Sequence, residues 1–470
     1  MNFRSISFYL SLFCFPIGVL AFINILYSSY FDFFLSIESY LITMLISLTL
    51  GIFLFLYGKK SEKKIDFINQ LILILLVYII IGFLISIPFY LSNLKISFTN
   101  AFFESISGLT GTGFSTFESV KYVDPTLILW RSSSQWIGGL FFLIFLIILF
   151  SNTKFNYKMT NLTYSGESNS KSEESIKNNI FKIFIIYSVL SLLILILLNI
   201  SGLRLFNSLN LAMTLISNGG FLPSDNLDEI IISNLQKIIL IFTLTFLLFN
   251  IYFLYNLFDK KTLFKKHLED LYLFITALIL ILLIYFNDID ILTIIISVLS
   301  SLANSGISIM NNNNNLSLYF LFITLIGGSL ISNSSGIKLS RFYILLKITS
   351  AEIIKLTSPN SVINKTIFNS ENKINEDYIK ISFLIFISYF LSLFILSSFL
   401  ILDNIGFATS FKLSILALTN TVNSQMYGLE NLDFANLLIS TKISLIIFMI
   451  IGKIELISIF LIFKKLLFKD

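Results

Sequence analysis

The chain has 470 residues, of which 56% are hydrophobic and 13% charged, with a mean hydropathy of +0.88 and a formal net charge of +5. A soluble domain carries about 25% charged residues; half that share cannot cover a soluble surface of this size, so the composition implies an integral membrane protein. A single cysteine, Cys14, excludes an internal disulfide, and a single histidine, His267, excludes histidine-cluster metal sites. In a membrane protein the excess of cations is read as a topology signal and not as a nucleic-acid surface.

Apolar runs long enough to cross a bilayer fall near 8–29, 39–57, 69–91, 127–150, 180–200, 236–257, 269–286, 317–346, 379–402 and 437–463. The first run is not followed by a small-residue cleavage site and reads as a retained anchor. No polar stretch is long enough to be a soluble catalytic domain. The two longest polar candidates, 151–178 and 348–378, read as cytoplasmic loops, and the asparagine run 311–315 reads as a low-complexity loop. Arg4 and the segments 59–67, 151–182, 259–267, 338–380 and 464–469 hold 24 of the 32 basic residues. They share one side, which the distribution of Lys and Arg makes cytoplasmic, with both termini inside.

Four intervals between spans each hold a short apolar stretch ending in a turn of small residues. These are FTNAFFESISGLTGTGFST (98–116), FNSLNLAMTLISNGGF (206–221), DILTIIISVLSSLANSGIS (290–308) and FATSFKLSILALTNTVNS (407–424). Stretches of that length enter the membrane without crossing it, and non-helical backbone at that depth survives only where protein or water covers it. The order span, half-helix, turn, span therefore recurs four times after a two-span preface. Four such turns around one axis aim carbonyls at a common point, where a carbonyl ring replaces the hydration shell of an alkali cation. Gly113, Gly220 and Gly306 hold matching places, and glycine reaches positive φ without a Cβ clash. The competing reading is that they are ordinary helix-packing glycines.

These motifs resemble the Trk/Ktr/HKT superfamily of potassium transporters, most closely its TrkH-type membrane subunit. The densest likeness is 98–116 with LILWRSSSQWIGGL (127–140). IGGSLISNSSGIKLSRFYILLK (326–347) is similar to the family's glycine-rich intramembrane loop, MIIGKIEL (449–456) to its last-span motif with Lys453 in place of Arg, and Pro359 to a cytoplasmic proline. The resemblance covers roughly 65–465. It implies an all-α polytopic membrane protein whose two-span N-terminal preface is followed by four span–half-helix–filter–span repeats around a central pore. The divisions are 1–64 for the preface, 65–152 for repeat one, 153–258 for a cytoplasmic loop and repeat two, 259–347 for repeat three with the intramembrane loop, and 348–470 for a cytoplasmic loop and repeat four.

Residue by residue, the resemblance places a K⁺-binding filter at Thr110, Gly111, Thr112 and Gly113; at Ser217, Asn218, Gly219 and Gly220; at Ala303, Asn304, Ser305 and Gly306; and at Thr419, Asn420, Thr421 and Val422. The fourth strand departs from the family pattern, which has glycine where Val422 stands; a β-branched residue resists positive φ. The implied gate comprises Gly327, Gly328, Ser329, Asn333, Ser335 and Gly336, with Ser332 and Ser334 also interrupting the run, and Lys453. Lys453 either faces the pore and holds the loop or snorkels to the cytoplasmic interface; the first reading is preferred because intramembrane charges are costly and usually functional. Glu455, two residues on, points to a different face. Glu104 is either a hydrogen-bonded structural carboxylate or an ion ligand, and Lys338 and Arg341 mark the cytoplasmic end of the broken helix.

The implied function is potassium uptake across the bacterial inner membrane, with no enzymatic step, no covalent cofactor and K⁺ as the transported ion. The implied partners are the lipid bilayer, a second copy in a homodimer and a separate TrkA-like cytoplasmic nucleotide-binding ring; nucleic acid is not among them. Two other readings are a Na⁺-conducting or Na⁺-coupled member of the same superfamily, against which Gly113 argues, and a polytopic membrane enzyme, which should show clustered carboxylates or histidines. GLTGTG has the wrong glycine spacing for a dinucleotide fingerprint, and no phosphate-binding loop is present.

Overall fold

The computed structural model describes residues 3–31, 37–61, 65–150, 173–256, 267–284, 290–309, 316–359, 361, 366–368, 374–429 and 432–454. The asparagine run 311–315, most of the polar stretch 151–178, Glu455 and the basic segment 464–469 lie outside the described residues.

The described residues are mostly helical, with almost no sheet. The preface is α1 (Phe3–Tyr30) and α2 (Ile37–Gly58), and repeat one is α3 (Phe67–Tyr90), the half-helix α4 (Phe98–Thr110) and α5 (Pro125–Phe150). Repeat two is α6 (Glu173–Ile200), the half-helix α7 (Leu205–Ile216) and α8 (Asn234–Leu248). Repeat three is α9 (Leu268–Ile284), the half-helix α10 (Ile291–Ala303), α11 (Ser317–Leu325), a loop and α12 (Leu339–Thr357). Repeat four is α13 (Glu376–Leu402), the half-helix α14 (Phe407–Thr419) and α15 (Ile439–Ile454). Among the described residues six helices are long and apolar enough to cross a membrane: α1, α2, α3, α5, α6 and α13. This is the all-α polytopic architecture of a preface and four repeats.

The helices stand in an apolar solvent, and their surfaces show it. Large side chains such as Phe53, Leu192, Leu283 and Phe394 lie exposed on the outer faces, an apolar coat that water would not tolerate but acyl chains match. Inside, small residues let backbones approach. A Cβ on Gly58 would stand 2.5 Å from the Phe8 backbone nitrogen, so α1 and α2 touch backbone to backbone there. Many hydroxyls inside helices are satisfied within the same turn, as where Ser86 Oγ donates to Phe83 O at 2.7 Å. Trp130 Nε1 donates to Ile85 O at 3.0 Å and pins α5 to α3.

The apolar run 236–257 does not form one span. α8 ends at Leu248, Phe249 is extended (φ −77°, ψ 164°), and a single helical turn follows at Phe253–Asn256. The backbone groups released by the break have remote partners: Leu248 O accepts from Ser329 N (3.0 Å), Asn250 N donates to Asp270 Oδ1 (2.9 Å) and Ile251 N donates to Ile331 O (3.0 Å). A break at this depth persists because those partners replace the missing helical bonds. The run 317–346 is also broken, into α11 and α12, with two parallel two-residue strands pairing Ile326 with Ile337 and Gly327 with Lys338 across the loop.

Candidate functional site

The four half-helices end alike. In each, one residue takes the left-handed conformation: Gly111 (φ 75°), Asn218 (φ 54°), Asn304 (φ 61°) and Asn420 (φ 50°). Its amide donates to the carbonyl three residues back, and the next amide donates five residues back: Thr112 N to Ser107 O, Gly219 N to Thr214 O, Ser305 N to Ser300 O and Thr421 N to Leu416 O, at 2.9–3.1 Å. This is a Schellman-type helix end, repeated four times. Glycine and asparagine fill it because they are the residues that enter the left-handed region most readily. Two residues further on stand Gly113 (φ 81°), Gly220, Gly306 (φ 70°) and Val422; Gly220 and Val422 do not have positive φ. The matched glycines are thus not one conformational class. Gly220 is small for a steric reason, since a Cβ there would stand 2.3 Å from Val422 Cβ.

Side chains lock the turns to one another and to the helices behind them. Thr110 and Thr112 hydroxyls share a hydrogen bond (2.7 Å), as do Thr419 and Thr421 (2.9 Å). Asn420 Nδ2 donates to Thr112 Oγ1 (3.0 Å) and to Met449 O on α15 (2.9 Å), while Asn304 Nδ2 donates to Thr324 O on α11 (2.7 Å). Ser217 is held by its own helix, Oγ to Thr214 O at 2.8 Å. Ala303, Ser305 and Thr421 are fully buried. The sixteen residues matched by the resemblance form one cluster at the inner ends of the four half-helices.

Chain segments leaving the turns line a cavity of 540 Å³ that reaches Gly113, Gly220, Ile307 and Val422. Glu118, Asp225, Asp228 and Asp433 also line it, against one cation, Arg131. That imbalance gives the vestibule a negative potential. Arg131 is itself committed to a carboxylate. Its Nε donates to Glu104 Oε1 (2.8 Å) and its Nη2 to Ser115 Oγ (3.0 Å), while the guanidinium stacks 4.1 Å from the centre of the Phe221 ring. Glu104 also accepts from Thr116 N (2.7 Å) and from the hydroxyls of Ser115 and Thr116 (3.2 Å each). Its lone pairs go to the segment leaving the first turn, which is the structural reading of that carboxylate.

On the other side of the turns lies the loop between α11 and α12. Gly327 sits where a Cβ would meet Ser335 O at 2.1 Å, and Gly336 has φ 69°. Gly328 N donates to Ser334 Oγ (2.9 Å), Ser329 Oγ to Glu269 Oε2 (3.4 Å), and Asn333 Nδ2 to Ile216 O at the end of the second half-helix (2.7 Å). Ser335 is buried. Two lysines grip this loop. Lys453 Nζ donates to Asn333 O at 3.0 Å and stands 4.5 Å from the centre of the Phe142 ring. Lys338 Nζ donates to Ser334 O and, at 3.3 Å, to Ser332 O. Lys338 and Arg341 stand at the start of α12, and both are buried there, at 3% and 2% exposure.

The model of the TrkH family, described as a cation transport protein, matches residues 37–254. An uncharacterized cation transporter of Methanocaldococcus jannaschii is 28% identical over 89% of this chain and 88% of its own length. The Trk system potassium uptake protein TrkG of Escherichia coli is 24% identical over 91% of each. The crystal structure of the potassium transporter TrkH from Vibrio parahaemolyticus shares the fold, with a TM-score of 0.87 at 19% identity over 98% of both chains. The chain is thus similar to the TrkH family over 37–254, to transporters of the Trk systems over most of its length, and to TrkH in fold. It is a transporter fold and not an enzyme.

Two residues that carry the cluster, Arg131 and Gln135, have no role in the sequence reading, and a third, Lys338, has there only a place at a helix end. Arg131 lies inside the apolar run 127–150, and an arginine in such a run is itself a signal. Gln135, one helical turn on, shares its face; its Oε1 accepts from Phe221 N at 3.2 Å and braces the second segment as Arg131 braces the first. Lys338 was placed at a helix end, yet it makes more polar contacts to the loop than Lys453 does.

Proposed function

We propose that the chain is the membrane subunit of a potassium uptake system, passing K⁺ along the axis of the four turns with the 327–336 loop as the gate below them. The observation that carries this reading is the fourfold recurrence of one helix end, gathered into a single buried cluster; carbonyls aimed inward from such turns would substitute for the hydration of an alkali cation. K⁺ is here the cargo and no resident cofactor is required. The Trk system names carried by relatives such as TrkG support the ion. The basic segments support both termini being cytoplasmic, and the family resemblance supports a bacterial inner membrane. A homodimer resting on a separate nucleotide-binding ring is the assembly the family resemblance supports. The test is growth: a bacterium lacking its own K⁺ uptake should grow at low K⁺ when given this gene, and failure to grow despite membrane insertion overturns the reading.

Gly113→Ser addresses selectivity. At φ 81°, and with Gly220 Cα 2.9 Å from the site of a new Cβ, serine there strains the turn and shifts its carbonyl. The expected result is a lower preference for K⁺ over Na⁺ in proteoliposome flux; an unchanged preference removes the first turn from the ion path. That measurement on the parent protein also decides the second reading, a Na⁺-conducting member, which Val422 in place of a fourth glycine favours.

The acidic vestibule gives a separate expectation. All four carboxylates are exposed, but Asp225 is tied to Ser119 Oγ (2.7 Å) and Val120 N (2.6 Å) and Asp433 to Ala435 N (2.9 Å), which leaves Glu118 and Asp228 as the pair to change. Neutralising that pair, Glu118→Gln with Asp228→Asn, should slow initial rubidium uptake about threefold near 0.01 M ionic strength and much less near 0.15 M, because screening shortens the reach of the charges from about 30 Å to about 8 Å. Equal rates at low ionic strength would show that the carboxylates do not steer the ion.

A further inference from the structure

The side chain of Val422 stands where the other three repeats leave space. Neighbouring turns are linked in the order one, two, three, four. Gln135 of repeat one holds Phe221 of repeat two, Asn333 of repeat three holds Ile216 of repeat two, Ser301 of repeat three meets Tyr427 of repeat four at 3.4 Å, and Asn420 of repeat four holds Thr112 of repeat one. Repeats two and four therefore face each other across the axis. A Cβ built on Gly220 would lie 2.3 Å from Val422 Cβ, one on Gly113 3.1 Å from it, and one on Gly306 3.0 Å from Val422 Cγ1. One isopropyl group thus touches all three opposing glycines, including the one across the ring. It is half-buried and forms part of the floor of the acidic cavity. The carbonyl of Val422 is turned to Ser424 N at 3.1 Å.

We infer that Val422 is an apolar constriction at the outer entrance of the four-turn cluster, the residue that sets how fast a dehydrated alkali cation enters. An isopropyl group offers an ion no ligand, and it fills the axis at the level where three glycines hold the backbone open. Passage requires the side chain to leave its packed position, and the Val422 carbonyl, turned to Ser424 N, is not free for the ion. The three glycines have a second role on this account: Gly220 above all is small because Val422 fills its place. The inference rests on the reading of the four turns as the ion path.

The test is rubidium and potassium uptake by the full chain in proteoliposomes, with parent, Val422→Ala, Val422→Gly and Val422→Thr compared at equal protein. Val422→Ala keeps a Cβ and the same backbone freedom, so it reports on size alone. Val422→Thr keeps the branched shape and should run at the parental rate. Val422→Ala and Val422→Gly should be faster, by up to about tenfold, the factor that ~1.4 kcal/mol represents. A parent that conducts no faster than background beside a conducting Val422→Ala is the strongest form of the same result. If the parent conducts and the Ala and Gly variants match it, with unchanged elution and melting in detergent, the constriction is refuted while the uptake reading stands. If no variant passes any alkali cation, the uptake reading falls and the constriction falls with it.

Discussion

Arg131→Met should be among the most damaging single changes in the molecule, lowering stability by about 3–5 kcal/mol, because it leaves the buried Glu104 carboxylate without its counter-charge. Glu104 and Arg131 are 0% and 2% exposed, and their ion pair at 2.8 Å is surrounded by Phe117 and Phe221. Replacing both charges together removes the stranded group, so Glu104→Gln with Arg131→Met should be more stable than Arg131→Met alone. The pair also positions the ion path: Glu104 holds Thr116 and Arg131 holds Ser115, the residues that carry the chain out of the first turn. Uptake should therefore stay low in the double variant even where its melting temperature recovers. Melting in detergent and rubidium uptake measured on the same preparations check both halves. A double variant as unstable as Arg131→Met would show that the lost contact is packing against Phe221 and not the charge.

The half-helices were legible in the sequence because their signal is local. A run of 12 or 13 residues, too short to cross and ending in small residues, has few other uses in a membrane. The exact duty of each turn residue was less legible. Glycine drew attention to Gly113, Gly220 and Gly306, but the left-handed residue that all four turns share lies two positions earlier and is asparagine in three of them. Nothing in the spacing says that Gly220 is needed for the bulk of Val422, since those residues are far apart in sequence and meet only through the ring. The break after Leu248 was illegible for the same reason. The run through 236–257 is apolar throughout, and the groups that make the break tolerable come from Asp270 and Ile331. Lys453 was legible as a cation inside an apolar run, whereas Lys338 looked like an ordinary helix-end lysine because its acceptors exist only once the loop has folded back.

Removing the donor at 453 is expected to open the pathway. Lys453 and Lys338 approach the loop from different helices and bind neighbouring carbonyls, Asn333 O by the first and those of Ser332 and Ser334 by the second. Lys453 is also close to the turns, its Nζ lying 3.8 Å from where a Cβ on Gly111 would be. It therefore ties α15 to the loop beside the first turn. A hydrogen bond from a charged donor contributes about 1.5–3 kcal/mol, and losing it shifts a closed-to-open equilibrium by about ten- to a hundredfold. Under the proposed function, Lys453→Met should raise the resting leak of rubidium by that order while keeping the packing against Phe142, since methionine retains most of the apolar stem. Lys453→Arg should keep the loop shut, because a guanidinium supplies donors to the same carbonyls. The loop has a second clamp in Lys338, so the leak should grow without the protein unfolding, and melting in detergent should fall by only a few degrees. If Lys453→Met leaks no more than the parent, Lys338 and the Asn333 bond to Ile216 O hold the loop unaided, and Lys453 serves only to join α15 to it.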